Sequence, residues 1–144
     1  MLFVLNKSSN LNMNQKSKIF TPDEARRTLP LVKQIVRDIL SKGFEIKTII
    51  DSVNGDIKID NRIQAFIDSM EAYIEELNEL GCYYKDWNFE IGLVDFPAVI
   101  NDKEVFLCWR SDEEYIIYYH DPKEGYPGRK KIPGEYLIKE TNLS

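Results

Sequence analysis

Hydrophobic residues in the first half of the chain recur every three or four positions, which is the spacing of one helix face. From residue 25 onward the steps alternate between four and three, as in a heptad seam that packs against another helix. The seam contains Ala25, Leu29, Val32, Val36, Ile39, Gly43, Ile46, Ile50 and Val53. The run from Thr21 to Glu24 predicts the start of this helix, because Thr21 can cap it and Glu24 can close a capping box. Gly43 is expected to allow a close helix crossing or to weaken the helix locally, since it has no side chain.

A second seam with the same alternation follows the turn sequence Asn54-Gly55-Asp56. Its members are Ile59, Ile63, Phe66, Met70, Tyr73, Leu77 and Leu80. Ile67 and Ile74 widen the apolar stripe, and Gly81 ends the helix. A short connection between two such helices predicts a long antiparallel helical hairpin.

From Cys82 onward the apolar period changes to two, and aromatic and β-branched residues become frequent. This pattern predicts three antiparallel strands, at about Leu93 to Ile100, Glu104 to Arg110 and Tyr115 to His120. The many Gly and Pro residues after Asp121 predict an ordered loop that wraps the sheet. The expected fold class is therefore α+β, a helical hairpin followed by a small three-stranded antiparallel sheet and an ordered C-terminal loop.

The 144 residues suit one domain with one core. Residues 1–18 are rich in Asn, Ser and Lys and are expected to form a disordered arm. Residues 19–134 form the predicted α+β domain, and 135–144 a flexible tail.

Charge and composition exclude several function classes. The formal net charge of −5, with acidic and basic residues interspersed, argues against a duplex nucleic-acid binder. No apolar run approaches the roughly 20 residues of a membrane helix. The two cysteines are far apart, so we expect reduced thiols and a cytoplasmic protein.

Several short motifs are similar to those of a known family. They are Phe20-Thr21-Pro22-Asp23-Glu24-Ala25, Leu29-Pro30-Leu31-Val32, Gly92-Leu93-Val94-Asp95-Phe96-Pro97-Ala98, Leu107-Cys108-Trp109-Arg110 and His120-Asp121 with Gly125 and Gly128-Arg129. Between about Phe20 and Ile132 the chain resembles the prokaryotic family catalogued as domain of unknown function 2203. The resemblance implies no activity. Tyr119 stands where that family has tryptophan, which keeps an aromatic side chain at the position.

Strand pairing predicts an ion pair on one sheet face. If Asp102-Lys103 is the first hairpin tip, Asp95 lies opposite Arg110, beside Cys108 and Phe106. Such a pair can be a structural clamp, or it can hold Arg110 ready for an anionic ligand.

A second hairpin across Asp112-Glu113 would place His120 opposite Val105, on the other face. This separation argues against Cys108 acting as a nucleophile with His120 as its base. One histidine and two distant cysteines also lack zinc-ligand spacing, so no metal site is predicted. No glycine-rich phosphate loop follows a strand, and no cofactor is predicted.

The candidate ligand-binding residues are Trp109, Tyr119, His120, Asp121 and Arg129. They are expected to hold a small anion at the point where a strand ends and a loop begins. Alternatively, His120 pins the loop through a backbone carbonyl.

Two function classes remain open. The favoured one is a non-enzymatic interaction module that assembles through its helical hairpin as a homodimer. The other is a small-anion-binding protein or enzyme with a pocket between sheet and helices.

Overall fold

The computed structural model describes residues 18–52 and 61–137. Helix α1 spans Pro22–Ser52 and helix α2 spans Asn61–Leu80. The predicted Asn54-Gly55-Asp56 connection, residues 1–17 of the predicted arm and residues 138–144 of the predicted tail lie outside the described residues. Residues 134–137 are helical, and the Tyr136 hydroxyl accepts a hydrogen bond from the Asn101 amide.

Helix α1 begins with the predicted capping box. The Glu24 amide donates to the Thr21 hydroxyl, and the Thr21 amide donates to the Glu24 carboxylate, both at 3.0 Å. The buried residues of α1 follow the predicted seam closely, and are Ala25, Leu29, Val32, Ile35, Val36, Ile39, Gly43 and Ile46. Helix α2 buries Phe66, Met70, Ile74 and Leu77. Both helices therefore present a regular apolar face to the rest of the chain.

Gly43 allows a close approach, but the group that approaches it is the ring of Phe89 rather than the predicted partner helix. A Cβ atom on Gly43 would lie 2.2 Å from the ring of Phe89. Phe89 belongs to the loop that follows the first strand, and its φ angle is 62°. The glycine thus accommodates an aromatic ring against α1.

The fold class is confirmed as α+β, with a five-stranded antiparallel sheet in chain order. The strands are β1 Tyr83–Tyr84, β2 Leu93–Ile100, β3 Lys103–Arg110, β4 Tyr118–His120 and β5 Lys130–Lys131. The three predicted strands are present, although the third begins at Tyr118, and β1 and β5 are short additional edges. A 3₁₀ turn at Tyr126–Gly128 lies in the loop before β5.

The predicted register of the first hairpin is wrong by two residues. Asp95 lies opposite Cys108, and Arg110 lies opposite Leu93. The tip is Asn101-Asp102, whose φ angles of 52° and 64° are those of a two-residue left-handed turn. Because the shift is even, the predicted faces of Asp95 and Cys108 are correct.

The predicted register of the second hairpin is wrong by one residue, which reverses a face. His120 lies opposite Phe106 rather than Val105. The connection is longer than a two-residue tip, since β4 begins only at Tyr118. His120 therefore shares a face with Asp95 and Cys108.

The two faces of the sheet have different coverings. One face of the sheet packs with the helix residues in a single apolar cluster. This first face contributes Val94, Phe96, Ala98, Val105, Leu107 and Trp109. Cys108 is equally buried but does not belong to this cluster. Cys108 lies on the second face of the sheet, which is covered by the segment 121–129. The candidate site lies between this face and that segment. No helix in the described part of the chain is long and apolar enough to cross a membrane.

Candidate functional site

Three polar side chains from neighbouring strands meet on the second face of the sheet. Asp95 comes from β2, Cys108 from β3 and His120 from β4, and as whole residues they are 4%, 1% and 3% exposed. A carboxylate oxygen, the thiol sulfur and an imidazole nitrogen all lie within 4.8 Å of one another. We call these residues the Asp–Cys–His cluster. Burying such groups costs free energy unless each has a partner, so their contacts define what the cluster can do.

Both ring nitrogens of His120 face oxygen acceptors. Nδ1 lies 2.9 Å from the Asp121 carbonyl oxygen, and Nε2 lies 3.1 Å from Oδ1 of Asp95. A carbonyl oxygen only accepts, so Nδ1 carries a proton, and a neutral ring then has none on Nε2. The contact between Nε2 and the carboxylate therefore needs a second proton or another cation. The hydrogen bond to Asp95 is the largest cause that raises the pKa of His120 above its usual value.

Cys108 has the properties of a protonated thiol in this environment. Burial raises its pKa to about 12, and the nearby negative charge of Asp95 adds to the effect. Nucleophilic cysteines have lowered pKa values, because a cationic neighbour stabilises the thiolate. In this site His120 directs Nε2 to Asp95 rather than serving the sulfur as a base. The geometry therefore does not fit a Cys–His nucleophile, even though the two residues share a face.

A small cavity of about 160 Å³ opens beside the cluster. The three cluster residues line it together with Lys85, Leu93, Phe106, Pro122, Gly125 and Tyr126. The Lys85 ammonium lies 5.8 Å from the centre of the Phe106 ring, whose own centre is 5.7 Å from that of His120. The cavity thus lies between the sheet and the loop, not between sheet and helices as predicted.

A nearly buried ion pair holds the covering loop. An Arg129 NH group donates to both carboxylate oxygens of Glu113 at 2.6 Å, and the side chains are 11% and 14% exposed. The same guanidinium lies 3.4 Å from the Cys108 carbonyl oxygen and 4.1 Å from the centre of the Tyr118 ring. Arg129 therefore fastens the loop to the strand that carries Cys108.

The five predicted ligand-binding residues separate into different environments. Trp109 is buried in the core beneath the helices, where its indole N–H donates to the Glu113 carbonyl. Tyr119 pairs with Leu107 and packs against the same core. The Asp121 carbonyl accepts a hydrogen bond from His120, and the Asp121 carboxylate lies 3.7 Å from the Lys130 ammonium. His120 lines the cavity, and Arg129 contacts Glu113.

The predicted ion pair between Asp95 and Arg110 is replaced by two other contacts. Asp95 pairs with His120, whereas the Arg110 guanidinium donates to Asp112 and to the Tyr126 hydroxyl. Arg110 therefore braces the loop instead of neutralising the buried carboxylate.

The cluster contains the donor set of a transition-metal site. Thiolate, imidazole and carboxylate are the ligands that zinc prefers in proteins. Spacing along the chain does not show these ligands. The sheet instead gathers one ligand from each of three strands, which no local motif can reveal.

The sequence around this site matches a known protein family. The model of the uncharacterised conserved proteins designated DUF2203 matches residues 18–132. The chain belongs to this family. No curated protein and no solved structure matches the chain. The match contains all the strands, and so the whole Asp–Cys–His cluster of this DUF2203 protein.

Sequence analysis missed two contributors to the site of this DUF2203 chain. Glu113 was assigned to a hairpin tip, yet it holds Arg129 and also accepts a hydrogen bond from the Arg110 amide. Lys85 directly follows the short strand β1, which the alternation of residues does not predict. The signal that could have corrected the register is the Asn101-Asp102 pair, since both residue types tolerate the left-handed turn conformation.

Proposed function

We propose that this protein binds a divalent transition-metal ion of the zinc class through Asp95, Cys108 and His120. The observation that supports the proposal is the convergence of three buried ligand atoms within 4.8 Å of one another. Three protein ligands with a fourth position open to a cavity are typical of catalytic rather than structural zinc sites.

The contacts of His120 support its role as a ligand. Its Nδ1–H donates to the Asp121 carbonyl, which is the usual way in which proteins orient a metal-binding imidazole. Nε2 then presents a lone pair toward Asp95, and a metal ion between them satisfies both acceptors. Nitrogen and oxygen ligands of a tetrahedral zinc ion lie about 3.3–3.5 Å apart, given bond lengths of roughly 2.0–2.2 Å. The 3.1 Å separation of Nε2 and Oδ1 is close to this value.

Metal titration of the purified full-length chain tests the proposal. We expect one equivalent of Zn²⁺ or Co²⁺ to bind, with Co²⁺ showing a sulfur-to-metal charge-transfer band. Cys108→Ala should weaken binding roughly 100-fold or more, since even outer-shell partners of metal ligands contribute 10–100-fold. Cys82→Ala is the matched control, because Cys82 is also a buried free thiol but lies in the apolar core.

Two results would contradict the metal site. One is a protein that binds neither ion above the background of a chelator-treated buffer. The other is equal loss of affinity in the Cys82 and Cys108 variants, which would attribute the effect to folding. Circular dichroism of each variant separates unfolding from the loss of a ligand.

The helical hairpin supports a second candidate, a non-enzymatic assembly module that forms a homodimer in the cytoplasm. Ile67 and Ile74, which widen the apolar stripe of α2, pack within the chain. The proposal therefore depends on α1, where Phe44 is 72% exposed and Leu31 is 54% exposed. Covering the Phe44 ring with a second copy would remove apolar surface from water, which favours association. The free state of both cysteines is consistent with a reducing compartment.

Light scattering at micromolar protein concentration distinguishes a homodimer from a monomer. We expect a dimer mass that falls to the monomer mass in Phe44→Glu, while Ser41→Glu, at an exposed position one turn earlier, retains the dimer mass. A wild-type mass equal to that of the monomer at every concentration would overturn this second proposal.

A further inference from the structure

We propose that the cavity beside the Asp–Cys–His cluster binds a small organic anion, with its carboxylate on the metal ion and near the Lys85 ammonium. This inference depends on the metal site proposed above. It assigns the class of ligand that takes the open coordination position.

The charges around the cavity favour an anion. A divalent ion held by the Asp95 carboxylate, the Cys108 thiolate and a neutral His120 imidazole has no net charge. Among the described residues that line the cavity, Lys85 is the one other group with a full charge at neutral pH. The occupied site therefore has one uncompensated positive charge at its opening. In a partly enclosed space such a charge attracts anions more strongly than it does in bulk water.

The position of Lys85 allows its ammonium to reach a ligand in the cavity. Its ammonium lies 5.8 Å from the Phe106 ring, and Phe106 lies directly opposite His120 in the sheet. Lys85 itself is exposed, so its ammonium can approach a ligand at the opening.

The apolar part of the lining and the size of the cavity favour an organic ligand. Leu93, Phe106 and Pro122 supply apolar walls. The volume of about 160 Å³ suits a molecule of roughly six non-hydrogen atoms, since benzene occupies engineered cavities of about 150 Å³. Butyrate has this size and a single carboxylate. We therefore expect butyrate to bind more tightly than acetate or inorganic phosphate.

The experiment uses the Co²⁺-loaded full-length chain, whose visible spectrum changes when a ligand enters the coordination sphere. Butyrate, acetate, inorganic phosphate and neutral butyramide are titrated separately. We expect saturable changes with butyrate at the lowest concentration, weaker ones with acetate and phosphate, and none with butyramide. Lys85→Met should weaken butyrate binding about tenfold, which corresponds to about 1.4 kcal/mol, and leave Co²⁺ affinity unchanged. Lys103→Met is the matched control, because Lys103 is an exposed lysine that does not line the cavity.

Each failure has a separate signature. If Co²⁺ binds but no carboxylate alters its spectrum, or Lys85→Met binds butyrate like the wild type, the anion site is wrong and the metal site stands. An equal response to butyramide would also refute recognition of charge. If Co²⁺ does not bind at all, both the metal site and the inference that depends on it are wrong.

Discussion

Nε2 of His120 lies 3.1 Å from Oδ1 of Asp95, and the two side chains are only 4% and 5% exposed. Because Nδ1 already donates to a carbonyl, the metal-free protein can satisfy this contact with a second ring proton. Folding should therefore favour the protonated imidazole, in agreement with the raised pKa of His120. The pair connects the protonation of the only histidine to the stability of the metal-free fold.

The first prediction concerns this titration in the presence of a chelator. The single imidazole signal in NMR spectra should titrate above the ordinary histidine pKa of about 6.5, and Asp95→Asn should move it back down. A raised folded-state pKa means that the stabilisation is fully present below the unfolded-state pKa. It is lost as the pH rises through the folded-state pKa. The free energy of unfolding of the wild type should therefore approach that of Asp95→Asn as the pH rises from the unfolded-state pKa of His120 through its folded-state pKa. Urea titrations at a series of pH values measure this difference.

A His120 signal that titrates at or below the ordinary value would contradict the pairing. Lys103→Met provides the control, because it removes a distant exposed charge.

The second prediction concerns the ion pair that fastens the covering loop. Glu113→Gln or Arg129→Leu leaves one nearly buried charge without its partner, and each should destabilise the fold by roughly 3 kcal/mol. The double variant should lose less than the sum, because the two side chains interact directly. Urea denaturation of the four proteins measures the coupling. Arg27→Ala, which removes the exposed partner of Asp23, should cost less than about 1 kcal/mol. Additive losses at Glu113 and Arg129 would mean that the pair does not hold the loop.

The helices were predictable because each local signal agreed with the packing. The capping box at Thr21 and the buried positions of α1 follow from spacing along the chain. The strand positions were also recognisable, since alternation and turn residues are local. Ile35 was not in the predicted seam, yet it is buried in the apolar cluster that the helices share with the sheet.

The site was not predictable to the same extent, because it depends on register. Moving the first tip from Asp102-Lys103 to Asn101-Asp102 changes the residue opposite Asp95 from Arg110 to Cys108. A shift of one residue in the second hairpin moves His120 to the face of Asp95. The connection from β3 to β4 has no two-residue turn signal that would set the register. It is held by local hydrogen bonds, such as that from the Arg110 amide to the Glu113 carboxylate, together with the distant contact of Glu113 with Arg129.

The third prediction tests the first turn directly. Asn101 adopts a φ of 52°, which glycine tolerates and a β-branched residue does not. Asn101→Val should therefore destabilise the fold by about 1–2 kcal/mol more than Asn101→Gly. Both variants lose the weak contact between the Asn101 side chain and the Tyr136 hydroxyl, so the difference isolates the backbone. Equal denaturation midpoints for the two variants would place the turn elsewhere.

The fourth prediction concerns Gly43 and the ring that packs on it. Alanine in place of an exposed helical glycine normally stabilises a helix by about 0.8–1.0 kcal/mol. At Gly43 the added methyl group would lie 2.2–2.5 Å from three atoms of Phe89, so the ring must move. Phe89 also makes edge contacts with Phe66 and Trp87, and its displacement disturbs both.

We therefore expect Gly43→Ala to destabilise the fold by about 1–3 kcal/mol, the usual cost of overpacking. Ser41→Ala on the exposed face of α1 should change stability by less than about 0.5 kcal/mol. Combining Gly43→Ala with Phe89→Ala should cost less than the sum of the two, because the smaller side chain removes the clash. Urea denaturation of the single and double variants measures this. A stabilised Gly43→Ala protein would show that the Phe89 ring does not rest on α1, and the close approach would then not be the reason for glycine at this position.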